Sequence, residues 1–141
     1  MAIHLFEEDI NIKIDKKLAL KKWIKETIEH EGYKLSELNY IFCSDEYLHD
    51  MNLSYLNHDT LTDIITFDNS DIDQLIIGDI FISVDRVKEN ANKFNVPFFE
   101  ELNRVMVHGV LHLLGYKDKK KIEQEKMRER ENYYLKRRSF K

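Results

Sequence analysis

His108-Gly109-Val110-Leu111-His112-Leu113-Leu114-Gly115-Tyr116-Lys117-Asp118 closes what the sequence predicts to be the central helix of the chain. Pro97 opens that helix, and Leu102, Val105, Met106, Val110, Leu111 and Leu114 leave it almost no polar side. A helix apolar nearly all round lies inside a fold. His108 and His112 stand four residues apart on it, so their imidazoles share a face with Cβ atoms about 6 Å apart. Two ring nitrogens at that spacing reach one ion at about 2.0–2.1 Å. A core histidine bonded to a backbone carbonyl meets the same spacing, so the pair alone is a weak signal. Gly115 strengthens it: a glycine in the left-handed region ends a helix and turns the chain back. Asp118 is thereby predicted to meet the ion from beyond the helix, and His108, His112 and Asp118 form the candidate ligand set.

Outward from this helix, strands and helices alternate. Ile3–Leu5 and then Ile10, Ile12 and Ile14 alternate as one or two strands would. Asp15 reads as an N-cap for a helix carrying Leu18, Leu20, Trp23, Ile24, Thr27 and Ile28, which Gly32 stops. Leu38–Cys43 is a short β-like run, and Ser44 or Asp45 caps a helix through Met51 and Leu53. Thr62–Phe67 and Leu75–Val84 are β-branched runs around a polar turn, Asp68–Asp73. Ser83 or Asp85 starts a helix through Phe94, and a last amphipathic helix runs from about Lys120 to Leu135. The expected fold class is α+β, one domain over residues 1–141, with a mixed sheet packed by helices.

The chain has 141 residues, 43% of them hydrophobic and 34% charged, an ordinary globular balance. One cysteine, Cys43, excludes an internal disulfide and a cysteine-based zinc ribbon. A start carrying Glu7, Glu8 and Asp9 lacks the basic opening and long apolar stretch of a secretory signal. Asp79 interrupts the longest apolar run, Leu75–Val84, which is too short to span a membrane. A cytoplasmic protein is expected. Net charge is −4, unevenly spread. Residues 117–141 carry 11 Lys/Arg against 5 Asp/Glu, and the rest carries 11 against 21. A basic end on an acidic body makes a patch that attracts phosphates, although a solvated amphipathic helix has the same composition.

Two ligands on a helix, a glycine turn and a third ligand are the metzincin-like spacing. Metalloproteases of that spacing place a glutamate directly after the first histidine as general base. Gly109 occupies that position, which argues against peptide hydrolysis. One carboxylate with two neutral imidazoles leaves a divalent site at net +1, so a bound water is acidified less than with three histidines. Lys117, Lys119, Lys120 and Lys121 flank Asp118 and can restore positive potential or bind phosphates.

The string HGVLHLLGYKD resembles the HGxLHLxGYDH signature of the YbeY family, bacterial rRNA maturation factors described as metal-dependent endoribonucleases. Asn52-Leu53-Ser54-Tyr55, leading to Thr62-Asp63-Ile64-Ile65-Thr66-Phe67, is similar to the family's LNxxYR…TDVLSF. Gly78-Asp79-Ile80-Phe81-Ile82-Ser83 is similar to its GDIxIS strand, and Glu101-Leu102 to its EL…HG lead-in. The likeness covers about Asn52 to Met127. It implies an α+β fold, one zinc ion, single-strand-specific cleavage of ribosomal RNA, a role in 16S 3′-end maturation and ribosome quality control, and RNA and the ribosome as partners. Carried over by position, the ligands are His108, His112 and Asp118, the last standing where the family has histidine. Leu56 stands where the family has an arginine, whose guanidinium would stabilise charge on a pentavalent phosphorane. Leu61 stands where the family commonly has proline.

Two further residues are candidates for the chemistry. Arg104, one turn before His108, is a candidate substitute for the missing arginine, its alternative being an exposed helix arginine. Asp63 reads first as a strand-end residue that bonds backbone or orients a ligand histidine, and it is also a candidate general base. Asp79 is read as structural. His58 and Asp59 are candidates for lining the cleft. Two other functions remain open on sequence alone: a metalloprotease-like hydrolase, and a non-catalytic rRNA assembly factor with a structural metal.

Overall fold

The β-branched runs become strands because both of their faces find cover. The computed structural model describes residues 2–56 and 62–140. In it the elements run β1 (Ala2–Glu7), α1 (Lys17–His30), β2 (Lys34–Cys43), α2 (Asp45–Leu56), β3 (Ile64–Asp68), β4 (Leu75–Ser83), α3 (Val84–Phe94), α4 (Phe98–Leu113) and α5 (Lys121–Lys136). The sheet order is β1-β2-β4-β3. β1, β2 and β4 are parallel, and β3 pairs antiparallel with β4 as an edge strand. The predicted mixed sheet with helices on it is therefore present.

Alternation along the strands divides the core. Leu38, Tyr40, Phe42, Ile80 and Ile82 join Leu20, Ile24 and Ile28 of α1 and Leu102, Met106 and Val110 of α4 in one buried cluster. The opposite face of the sheet places Cys43 and Ile65 with Leu48 of α2 in a smaller one. Each large buried aliphatic side chain contributes about 1.5–3 kcal/mol. Two polar hooks fix helix positions. The Tyr40 hydroxyl donates to the Met106 carbonyl at 2.8 Å, and Trp23 Nε1 donates to the Tyr134 carbonyl at 2.8 Å. The first ties β2 to α4, and the second ties α1 to α5.

Gly109 shows why a side chain is missing from the middle of α4. A Cβ there would stand 2.8 Å from Ile64 Cδ1 and 3.0 Å from two Ile80 carbons. The glycine lets the helix axis approach β3 and β4 closely, so α4 lies directly against the sheet edge.

Two sequence expectations fail locally. Ile10, Ile12 and Ile14 form no strand. The chain leaves the sheet after the Glu8 N–H donates to the Phe42 carbonyl at 2.9 Å, and the three isoleucines pack on the main core as an extended segment. Asp15 does not cap α1: Lys16 holds that place in a left-handed conformation at φ 58°. Leu18, assigned to the apolar face, is 84% exposed. Other caps follow expectation, with Ser44 Oγ accepting from the Tyr47 N–H and Ser83 Oγ from the Arg86 N–H. None of the described helices is long and apolar enough to cross a membrane.

Candidate metal centre

The end of α4 builds the site. Gly115 has φ +102°, and its N–H donates to the His112 carbonyl at 3.0 Å. The Tyr116 N–H donates to the Leu111 carbonyl at 3.0 Å, which completes a Schellman cap. The reversed chain then does two things. The Tyr116 carbonyl accepts from His112 Nδ1 at 3.1 Å, and Asp118 swings beneath the histidine pair.

The three side chains converge. Nε2 of His108 and Nε2 of His112 are 3.0 Å apart, and Asp118 Oδ2 lies 3.3 Å from each. They form a group of three possible ligands whose donor atoms lie within 4.8 Å of one another. Bonds of about 2.0–2.1 Å in tetrahedral geometry set ligand atoms roughly 3.3 Å apart, so the triangle has the size a zinc-like ion needs. The tautomers agree with that size. His108 Nδ1 donates to Glu131 Oε2 at 2.6 Å and His112 Nδ1 to the Tyr116 carbonyl, so both Nε2 lone pairs face the Asp118 carboxylate. Three electron-pair donors aimed at one point repel unless a cation or proton lies between them. All three groups are only partly buried, so the triangle keeps an open side.

That open side faces β3. Thr62, Asp63 and Thr66 line a cavity of about 260 Å³ with the His108, His112 and Asp118 side chains. A larger cleft of about 370 Å³ runs from His108 and Asp118 along α4, between α3 and α5. Asp63 lines both cavities. Burial pushes its carboxyl above the ordinary 3.8, and the neighbouring Glu131 charge adds to this, while the His108 charge offsets part of it.

Glu131 is the residue that sequence reasoning missed. It is buried on α5 and holds two groups at once, His108 Nδ1 through Oε2 and Arg104 Nη1 through Oε1 at 2.8 Å. Burial would raise its carboxyl, but the bonds and charges of His108 and Arg104 outweigh this and hold it below 4.5. For the His108 imidazole, burial works downward, and the Glu131 bond with the Glu131, Asp118 and Asp63 charges carries it above 6.5. The orienting carboxylate for His108 is thus Glu131. The available signal was a charged residue on the buried stripe of α5, beside Met127, Tyr134 and Leu135.

Arg104 lines the same cleft as Asp63 and His108. It is half-buried, and Asn132 Oδ1 also accepts from its Nη2 at 2.8 Å. Asp79 accepts from Asn39 Nδ2 at 2.9 Å and from Asn69 Nδ2 at 3.2 Å, a polar ladder across the sheet. Lys117, Lys119, Lys120 and Lys121 are all exposed around Asp118. His58, Asp59 and Leu61 lie outside the described residues, as does the side chain of Leu56. Gly109 faces Ile64 and Ile80 rather than the cleft, so a protease-type glutamate there would run into the sheet.

Comparison with known proteins agrees with this architecture. The family model described as Endoribonuclease YbeY matches residues 3–139. The chain is 49% identical over 138 residues to an Endoribonuclease YbeY of Cytophaga hutchinsonii, covering 98% of this chain and 96% of that one. It is 48% identical over 133 residues to the Endoribonuclease YbeY of Amoebophilus asiaticus, covering 94% and 90%. The solution structure of TM1509 from Thermotoga maritima superposes with a TM-score of 0.65 at 28% identity, covering 95% of this chain and 87% of that one. With a family model matching almost the whole chain and relatives near half identity over nearly its full length, the chain belongs to the YbeY endoribonuclease family.

Proposed function

We propose that the protein is a metal-dependent endoribonuclease that cleaves single-stranded segments of ribosomal RNA in the cytoplasm, in 16S 3′-end maturation and ribosome quality control. The reading is supported above all by the triangle of His108 Nε2, His112 Nε2 and Asp118 Oδ2, with sides of 3.0 and 3.3 Å and an open face. Structural zinc sites are usually closed by four protein ligands, whereas catalytic ones keep a position free. Among the described residues, three groups gather here.

In this reading His108, His112 and Asp118 hold one zinc ion. When bound there, the ion supplies Lewis-acid polarisation of a phosphoryl oxygen and acidifies water. The residues around it do the rest. Glu131 and the Tyr116 carbonyl fix the imidazole tautomers, so both Nε2 atoms stay unprotonated toward the ion. Asp63 faces the open side, and burial raises its proton affinity. It accepts the proton of the attacking water, since a base works best when its pKa lies near the working pH. Arg104 anchors Glu131 and leaves its remaining N–H groups at the cleft wall. The exposed Lys117, Lys119, Lys120 and Lys121 hold the strand's phosphates.

The test is cleavage of ribosomal RNA by zinc-loaded protein, by His112→Ala, and by wild type with chelator. Loss of cleavage in the second and third, with the fold retained, is expected. Unchanged cleavage in His112→Ala would remove the metal from the mechanism.

A further inference from the structure

Glu101 is unused by the reading above, and its setting is unusual. Only 6% of it is exposed, yet it lines the cleft that leads from His108. Among the described residues its carboxylate has no hydrogen-bond or ion-pair partner. Among the described residues, the side-chain atoms sealed from water without a partner are Asn103 Nδ2 and Arg130 Nε, so the Glu101 oxygens still open onto the cleft, where a ligand's donor can reach them. Glu101 stands seven residues before His108 on α4, two turns along one helical stripe and about 10 Å along the axis. One nucleotide spans that separation from its phosphate to the far edge of its base.

The rest of the cleft has matching chemistry. Phe94, at the end of α3, is 51% exposed and forms part of the cleft lining, with the Lys93 ammonium 5.8 Å from the centre of its ring. Accessible aromatic faces stack nucleobases whatever their identity. Arg128, on α5, lines the cleft as an exposed cation. Away from the metal triangle the interior offers Glu101 as an oxygen acceptor that suits a donor, both oxygens of Glu131 being taken by His108 and Arg104. Burial holds the Glu101 carboxyl above the ordinary 4.5, against the pull of the nearby Arg104 charge.

The geometry points to a nucleobase subsite, in which the base beside the scissile phosphate stacks on Phe94 and Glu101 accepts a hydrogen bond from its exocyclic amino group. The subsite deepens the endoribonuclease reading and rests on it for the placement of the phosphate. Carboxylate acceptors distinguish cytosine from uracil at the base's 4-position, where one carries an amino group and the other a carbonyl. The cleft therefore favours amino-bearing bases, and Glu101 is the residue that sets the preference.

The test uses the zinc-loaded full chain with two probes, 5′-CMP and 5′-UMP, whose binding is followed by NMR titration. CMP is expected to bind about tenfold more tightly than UMP. Glu101→Gln brings the ratio to about one, because a carboxamide can donate as well as accept. Phe94→Ala weakens both nucleotides about tenfold and keeps the ratio; this exposed position carries the test if the Glu101 variant fails to fold. Equal affinities in the wild type, no binding of either probe, or a ratio unchanged in Glu101→Gln would overturn the subsite. Cleavage of C-tract and U-tract oligoribonucleotides separates the two readings. Selective binding without cleavage would sink the nuclease and leave the subsite. Cleavage and binding without base preference would do the reverse.

Discussion

Glu131 carries more of the site than any residue outside the ligand triangle. One buried carboxylate sets the His108 tautomer and pins Arg104. Such outer partners of ligating histidines are worth about 10–100-fold in metal affinity. Glu131→Gln keeps the shape and removes the charge, so zinc affinity measured by chelator competition should fall within that range while the fold survives. An unchanged affinity would mean that His108 needs no orienting carboxylate. The convergence of His108, His112 and Asp118 was legible from sequence because helical spacing and a glycine turn act over only a few residues. Glu131 was not, because its meeting with His108 depends on how α5 crosses α4, which local periodicity does not encode. Asp63 was legible as a candidate base or structural strand-end residue, but its place in the cleft depends on the sheet edge and on α4 together.

Among the elements, α4 positions the site because it can lie directly on the sheet. Gly109→Ala tests this, since the added Cβ would sit 2.8 Å from Ile64 Cδ1. Overpacking of this kind costs about 1–3 kcal/mol, visible as a lower denaturant midpoint with an unchanged slope. The end of α1 is held to α5 by Glu31, which accepts from the Tyr116 hydroxyl at 2.8 Å, from Arg130 Nη2 at 2.7 Å and from the Tyr134 hydroxyl. Burial works against the Glu31 carboxylate, but these three partners outweigh it and hold its carboxyl below 4.5. A carboxyl depressed in the folded state stabilises above its unfolded value, and that stability is lost as pH falls through the folded one. Glu31→Gln should therefore be less stable at neutral pH and lose less stability below pH 4.5 than wild type does. Acid titrations of the unfolding midpoint check this. Element types followed from sequence wherever a period ran unbroken. The alternation of Ile10, Ile12 and Ile14 misled because a segment buried on one side alternates whether or not a neighbouring strand is there to pair with it.

For the molecule as a whole, the fold class and the mixed sheet both followed from the interleaving of strands and helices, while the antiparallel pairing of β3 with β4 came only with the structure. Strand order did not follow either, since pairing across α2 is set by packing rather than by local pattern. Charge is also a whole-molecule property. The C-terminal residues 117–141 are net basic on an acidic body, and Lys117, Lys119, Lys120 and Lys121 are exposed beside the candidate metal centre. RNA affinity should fall linearly with the logarithm of salt, and each phosphate contact contributes a slope of about −0.7 on a single strand. Replacing Lys119 and Lys120 with alanine should flatten that slope by up to about 1.4. Equal slopes for the variant and wild type would place the strand elsewhere.

The central claim is that two imidazoles and one carboxylate grip a single ion and leave it a free position. The zinc K-edge absorption spectrum of the stoichiometrically loaded chain tests it most directly. The account predicts one zinc per chain with two imidazole nitrogens, the Asp118 oxygen and a further light atom from solvent. A chain that takes up no zinc, or an ion enclosed by four protein ligands, would contradict it.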